Sequence, residues 1–60
     1  MLYKGDNVII MLTNETISGY VEDVTNDKNA CAVIKTERGR YVVNRDGSRR
    51  NYSTIEARKV

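Results

Sequence analysis

Val8-Ile9-Ile10-Met11-Leu12 is the only place where five apolar residues, three of them β-branched, are contiguous in this chain. The run lies between Gly5-Asp6 and Asn14, which are turn-forming residues, and it is too short for an independent helix. In a strand its even-numbered residues face one way and its odd-numbered residues face the other. Both sets are apolar, so we predict a strand that is buried on both faces and covered by the rest of the chain.

The sixty residues suffice for one small domain, 1–60, and a chain of this size buries only about 60% of its unfolded surface. It contains a single cysteine, Cys31, and no histidine, so an internal disulfide and the usual zinc sites are excluded. We predict no metal and no cofactor. Small domains without such links are commonly stabilised by a partner chain, so a homo-oligomer is expected.

A single thiol, no basic leader and no long apolar segment are typical of an intracellular soluble protein. We therefore expect a cytoplasmic protein without membrane contact. The net charge of +2 conceals a difference between the halves of the chain, because residues 1–30 have a balance of −3 and residues 31–60 a balance of +5. This segregation indicates an acidic partner for the second half, with nucleic acid as the first candidate.

Turn signals divide the chain into five short segments of strand character. A β-bulge is expected near Glu22-Asp23, where the inward alternation slips by one residue, and Gly19 marks a sharp bend. Ser53-Thr54-Ile55-Glu56 matches a capping box, which predicts one short 3₁₀ turn before the last strand rather than a true helix, because only four residues follow. The predicted strands are 8–12, 17–25, 30–36, 40–44 and 56–60.

Five short strands without room for crossover helices predict an all-β fold. We expect a five-stranded antiparallel sheet, strongly bent into an SH3-like small barrel that protects its edges. The residues predicted for its core are Val8, Ile10, Leu12, Val21, Ile34 and Val43.

Between residues 8 and 29 an apolar alternation is followed by polar and glycine positions. The residues that carry this pattern are Val8, Ile10, Leu12, Asn14, Ile17, Gly19, Val21, Asp27 and Asn29. The pattern resembles the first motif of the Sm-like proteins and covers about a third of the chain. The resemblance implies a five-stranded SH3-like barrel, ring assembly through strand edges and binding of single-stranded RNA at the inner rim. It also implies that Asn29 contacts the RNA.

An enzyme is the least supported class of function. The chain has no histidine, no glycine-rich phosphate loop and no nucleophile beside a base. Glu22 and Asp23 are adjacent, but neighbours on a strand point to opposite faces and cannot act as a pair. We therefore predict that the protein is not an enzyme.

Arginines flank two predicted turns, at Gly39 and at Gly47, and tyrosines lie among them. Guanidinium groups bind phosphate, and tyrosine rings stack on unpaired bases. This arrangement predicts a nucleic-acid-binding surface, with RNA favoured over DNA. In the other interpretation Tyr41 belongs to the core and the arginines solvate the surface. The predicted binding residues are Arg38, Arg40, Arg45, Arg49, Arg50, Tyr41 and Tyr52, together with Asn29 from the resemblance.

A protein-interaction module is the alternative function. Ile9 and Met11 need a cover, and a barrel with few large aromatic residues leaves an apolar patch or an open edge for another chain. Such a module would suit a small bacterial or phage accessory factor that binds an acidic surface on a host complex. Salt dependence separates the two functions, because phosphate binding weakens steeply with salt and an apolar interface does not.

Overall fold

The apolar run forms the first strand, β1 (Asn7–Met11), in the computed structural model, which describes residues 1–60. Val8 and Ile10 are fully buried, whereas Ile9 is exposed and Met11 is half-buried. The expectation that both faces of this strand are buried is therefore wrong. One sheet curls around one core, and the odd-numbered residues of β1 lie on its outer face, where no second layer covers them.

Four more strands complete a single antiparallel sheet in the order β4-β3-β2-β1-β5. The sheet curls into a half-barrel, so the predicted all-β, five-stranded antiparallel fold is confirmed. No helix that could cross a membrane is present. The strands after β1 are β2 (Thr16–Val24), β3 (Cys31–Thr36), β4 (Gly39–Asn44) and β5 (Glu56–Lys59).

The bend of β2 has two local causes. The β2–β3 register shifts between Val21 and Asp23, so the predicted bulge is confirmed. At Gly19 a Cβ atom would lie only 2.6 Å from the backbone oxygen of Lys35, so this position requires glycine. Both features let the long strand β2 turn sharply over the core.

The core lies on the inner face of the half-barrel. Five of the six predicted core residues are fully buried there, and Leu12 is half-buried at its margin. Leu2, Ala32 and Ala57 complete the cluster. The fully buried predicted residues are Val8, Ile10, Val21, Ile34 and Val43.

The segment before β5 contains a turn at Asn51-Tyr52 but no 3₁₀ turn. The Ser53 hydroxyl accepts a hydrogen bond from the backbone N–H of Ile55, at 3.1 Å, which is two residues ahead rather than three. A short side-chain turn of this kind replaces the capping-box geometry. The expected 3₁₀ turn is therefore not formed, and residues 53–55 lead into β5 without regular secondary structure.

Candidate nucleic-acid interface

Arg45 immediately follows β4, and its side chain is buried. Its Nε donates to the carbonyl oxygen of Leu2 at 3.0 Å, and its Nη1 donates to Oδ1 of Asn26. The guanidinium also lies 5.5 Å from the centre of the Tyr3 ring. Arg45 thus holds the N-terminal segment and the loop 25–30 against the core. This corrects the expectation that Arg45 is presented to phosphate at a turn.

Arg38 and Arg40 are exposed, but each is paired with a carboxylate. Arg38 Nη2 lies 2.8 Å from Oε1 of Glu15, and Arg40 Nε lies 2.5 Å from Oε1 of Glu22. These hydrogen-bonded ion pairs lower the pKa of both glutamates. Both arginines lie near the start of β4, and its six residues span about 17 Å. Arg38 and Arg40 therefore lie at one end of β4 and Arg45, Arg49 and Arg50 at the other, so the five arginines predicted to bind nucleic acid do not share one surface.

Tyr41 is half-buried and packs against the core from the inner face of β4. The ring is thus separated from the exposed ring of Tyr52, which lies beyond the other end of β4. Of the two interpretations left open for Tyr41, the structure favours the one in which it is a core residue.

The remaining predicted residues come together at the end of β4, where two loops meet. Arg50 Nη1 donates to the carbonyl oxygen of Asn29 at 3.0 Å, which joins the loop 25–30 to the loop 45–55. Arg49 and Tyr52 are exposed on the second loop, within two residues of Arg50, and Lys28 is exposed on the first loop next to Asn29. We define the basic loop surface as Lys28, Asn29, Arg49, Arg50 and Tyr52.

The backbone of the second loop is fixed by three side chains. Asn44 Nδ2 donates to the carbonyl oxygen of Arg49 at 2.9 Å and to the Ser48 hydroxyl at 3.1 Å. The hydroxyl and backbone N–H of Ser48 donate to Oδ1 of Asp46 at 2.6 and 2.9 Å, and they lower the pKa of Asp46. Because this loop is already ordered, its binding to a partner costs less conformational entropy.

The cations of the basic loop surface have no acidic partner. The three salt bridges of the structure involve Arg38, Arg40 and Lys59, so Lys28, Arg49 and Arg50 stand outside them. The two nearby carboxylates, of Asp27 and Asp46, each accept a backbone N–H two residues ahead in their own loop. Lys28 and Arg49 are therefore available to an external anion, whereas Arg50 is partly engaged by the carbonyl oxygen of Asn29.

Tyr52 has a backbone φ of 64°, which is uncommon for a residue with a side chain. This conformation belongs to the turn at Asn51-Tyr52, and the tyrosine ring is fully exposed there. An exposed ring of this kind can stack on an unpaired base.

A cavity of about 330 Å³ opens beside the surface, between the loop 25–30 and the start of the loop 45–55. Lys28, Asn29 and Asn44 line it together with Arg45 and Asp46. No three cysteine, aspartate or glutamate side chains are close enough to hold a metal ion. The Asp46 carboxylate shares this lining with Lys28, so the cavity combines opposite charges and does not by itself select an anion.

Lys28 is the surface residue that the sequence analysis missed. Its position in the turn before Asn29 was visible, but the contact that brings this turn to Arg50 spans 21 residues.

Comparison with protein-family models, with curated proteins and with solved structures gave no match. The functional assignment accordingly rests on the geometry of the basic loop surface.

Proposed function

We propose that this chain binds single-stranded nucleic acid through the basic loop surface, with RNA favoured over DNA. The observation that carries the proposal is that Arg49, which is exposed and outside every salt bridge, and the fully exposed Tyr52 lie three residues apart on one loop that Asn44 holds in place. The preference for RNA follows from the resemblance of residues 8–29 to the Sm-like proteins.

The cations of the surface would bind the phosphate backbone. Arg49 is exposed and can present two parallel N–H groups to one phosphate, whereas Lys28 acts as a point charge. Arg50 is half-buried and mainly holds the two loops together. If all three contacted phosphates of a single strand, the slope of log affinity against log salt would be roughly −2, from about −0.7 for each contact.

Tyr52 supports the choice of a single strand over a duplex. Stacking on an aromatic ring requires a base that is not already stacked and paired, and each such contact contributes about 1–3 kcal/mol. A duplex could use only the cations of the surface. We therefore expect weaker binding to duplex RNA or DNA of the same length.

The test is a fluorescence anisotropy titration with single-stranded RNA, single-stranded DNA and duplexes of about twelve nucleotides, a length typical of such sites. Binding to the single strands that weakens with salt, and exceeds binding to the duplexes, would support the proposal. Absence of binding to every probe at low salt would overturn it, because electrostatic attraction is least screened there. The basic loops would then be a docking site for an acidic protein surface.

A further inference from the structure

β4 lies at one edge of the sheet and pairs only with β3. In an antiparallel ladder, successive residues turn their backbone groups alternately toward the partner strand and away from it. The backbone N–H of Arg45 turns inward and donates to the Ala30 oxygen at 2.9 Å, whereas that of Asn44 turns outward and donates to the Ser48 oxygen at 3.1 Å. This alternation fixes the direction of every backbone group along β4.

By the same alternation, Arg40 and Val42 turn their backbone N–H and C=O groups outward, at the open edge. The edge has no proline and no bulge in its register with β3, which are devices that commonly prevent strand addition. The Val42 side chain is 43% exposed, and the charge of Arg40 is compensated by Glu22. This edge is therefore open to another strand.

The opposite edge of the sheet is less available. The outward N–H of Ala57 in β5 already donates to the Gly47 oxygen at 2.8 Å. A strand added to β5 would lose this bonding position, so pairing of β4 with β5 of another copy is disfavoured. The β4 edge of a second copy offers the same free backbone N–H and C=O groups, at the same two-residue spacing, and can therefore pair with the edge of the first.

We infer that β4 pairs antiparallel with β4 of a second copy of this chain, with Tyr41 opposite Tyr41. In this register Arg40 of each copy lies opposite Val42 of the other, and all the outward backbone groups of these two residues find partners. A register centred on Val42 would need the Asn44 N–H, which the Ser48 oxygen occupies. A register centred on Arg40 would need the Arg38 N–H, which donates to the Thr36 hydroxyl at 3.1 Å. The free and occupied groups of the edge thus select one register.

The charges of the edge are compatible with this register. The two Arg40 side chains lie diagonally across the interface, and each brings the Glu22 carboxylate that it binds at 2.5 Å. The two Tyr41 rings extend the inner apolar face from one copy into the other. The contact is symmetric and uses the β4 edge of both copies, so the assembly closes as a dimer.

The first test is the mass of the wild-type protein by sedimentation equilibrium at concentrations up to about 1 mM, where even weak association is visible. A monomer–dimer equilibrium supports the inference. A monomer throughout this range, or an assembly larger than a dimer, would overturn it.

The second test locates the register by disulfide cross-linking in a Cys31→Ser background. Opposed residues in a non-hydrogen-bonded pair have Cα atoms about 4.5 Å apart, within disulfide range, so Tyr41→Cys should give a covalent dimer on oxidation. Val42→Cys is the matched control, because the two copies of this residue would be diagonal and about 7–8 Å apart. Faster cross-linking of Val42→Cys, or none in either variant, would overturn the register.

A third variant keeps the inference testable if Tyr41→Cys does not fold. Val42→Lys adds a charge at the edge beside Arg40 of the second copy and should raise the dimer dissociation constant at least about tenfold. Tyr20→Lys is the control, since Tyr20 is similarly exposed on the same outer face but lies on an inner strand. Equal effects of the two lysines would contradict an interface at β4.

Discussion

The backbone N–H of Ala57 donates to the carbonyl oxygen of Gly47 at 2.8 Å, which links β5 to the loop that follows β4. These two segments lie at opposite ends of the strand order, so this bond helps to close the half-barrel. Gly47 is buried, and its φ is 91°, a conformation that favours glycine. A Cβ atom at this position would collide with the Ala57 carbonyl oxygen.

We expect Gly47→Ala to destabilise the fold by more than the strain of the backbone alone, which costs about 1–3 kcal/mol. Gly5→Ala is the matched control: its φ is 92°, but a Cβ there meets no atom within 4 Å. Urea unfolding of both variants isolates the collision with Ala57. Equal losses of unfolding free energy would show that the closure at Gly47 has no steric constraint.

The adjacent isoleucines of β1 test which face of the strand is buried. Ile10 is fully buried, so Ile10→Ala should cost about 2–5 kcal/mol and leave a domain of this size largely unfolded. Ile9→Ala removes the same atoms from the outer face, where the side chain is 36% exposed, and should cost much less. Circular dichroism during thermal unfolding measures both. A larger loss from Ile9→Ala would reverse the assignment of the faces.

The strands of this fold could be predicted because their signals are local. Alternation of apolar residues and the turns between strands are read within a few positions, and the bulge near residue 22 follows from one slipped alternation. The burial of one face of β1 was not predictable in this way, because Ile9 and Ile10 are chemically identical. Only the number of layers in the fold decides which of them is covered.

The candidate site was less predictable because contacts distant in sequence decide it. Arg45 and Arg49 are indistinguishable in sequence, yet the first is buried by a bond to Leu2, 43 residues away, and the second is exposed. The Arg40 guanidinium donates to the carboxylate of Glu22, 18 residues away, and is therefore not free to bind phosphate. Clustering of arginines therefore indicated a basic surface, but not which of them could bind phosphate.

Acid should weaken the fold through the ion pair of Arg40 with Glu22. The pair lowers the Glu22 pKa from its ordinary value of 4.5. The carboxylate therefore stabilises the folded state above about pH 4.5, and this contribution is lost as the pH falls through the lowered value. We expect Glu22→Gln to reduce the acid-induced loss of stability in urea titrations between about pH 6 and pH 3.

The control for the Glu22 prediction is the same pair of titrations at high salt. Both side chains are solvent-accessible, so about 1 M salt should screen the pair and bring wild type and Glu22→Gln closer together. An identical pH dependence of the two proteins at low salt would show that this pair does not couple to folding.

Arg49 and Tyr52 should affect nucleic-acid binding in different ways, because a phosphate contact releases counterions and a stacking contact does not. For a single strand, Arg49→Ala should weaken binding and flatten the slope of log affinity against log salt by about 0.7. Tyr52→Ala should weaken binding by about 1–3 kcal/mol without changing the slope. Arg38→Ala is the control, since Arg38 is also exposed but is held by Glu15 at 2.8 Å near the other end of β4. If Arg38→Ala flattened the slope as much as Arg49→Ala, phosphate would bind at that end, and the basic loop surface would be the wrong site.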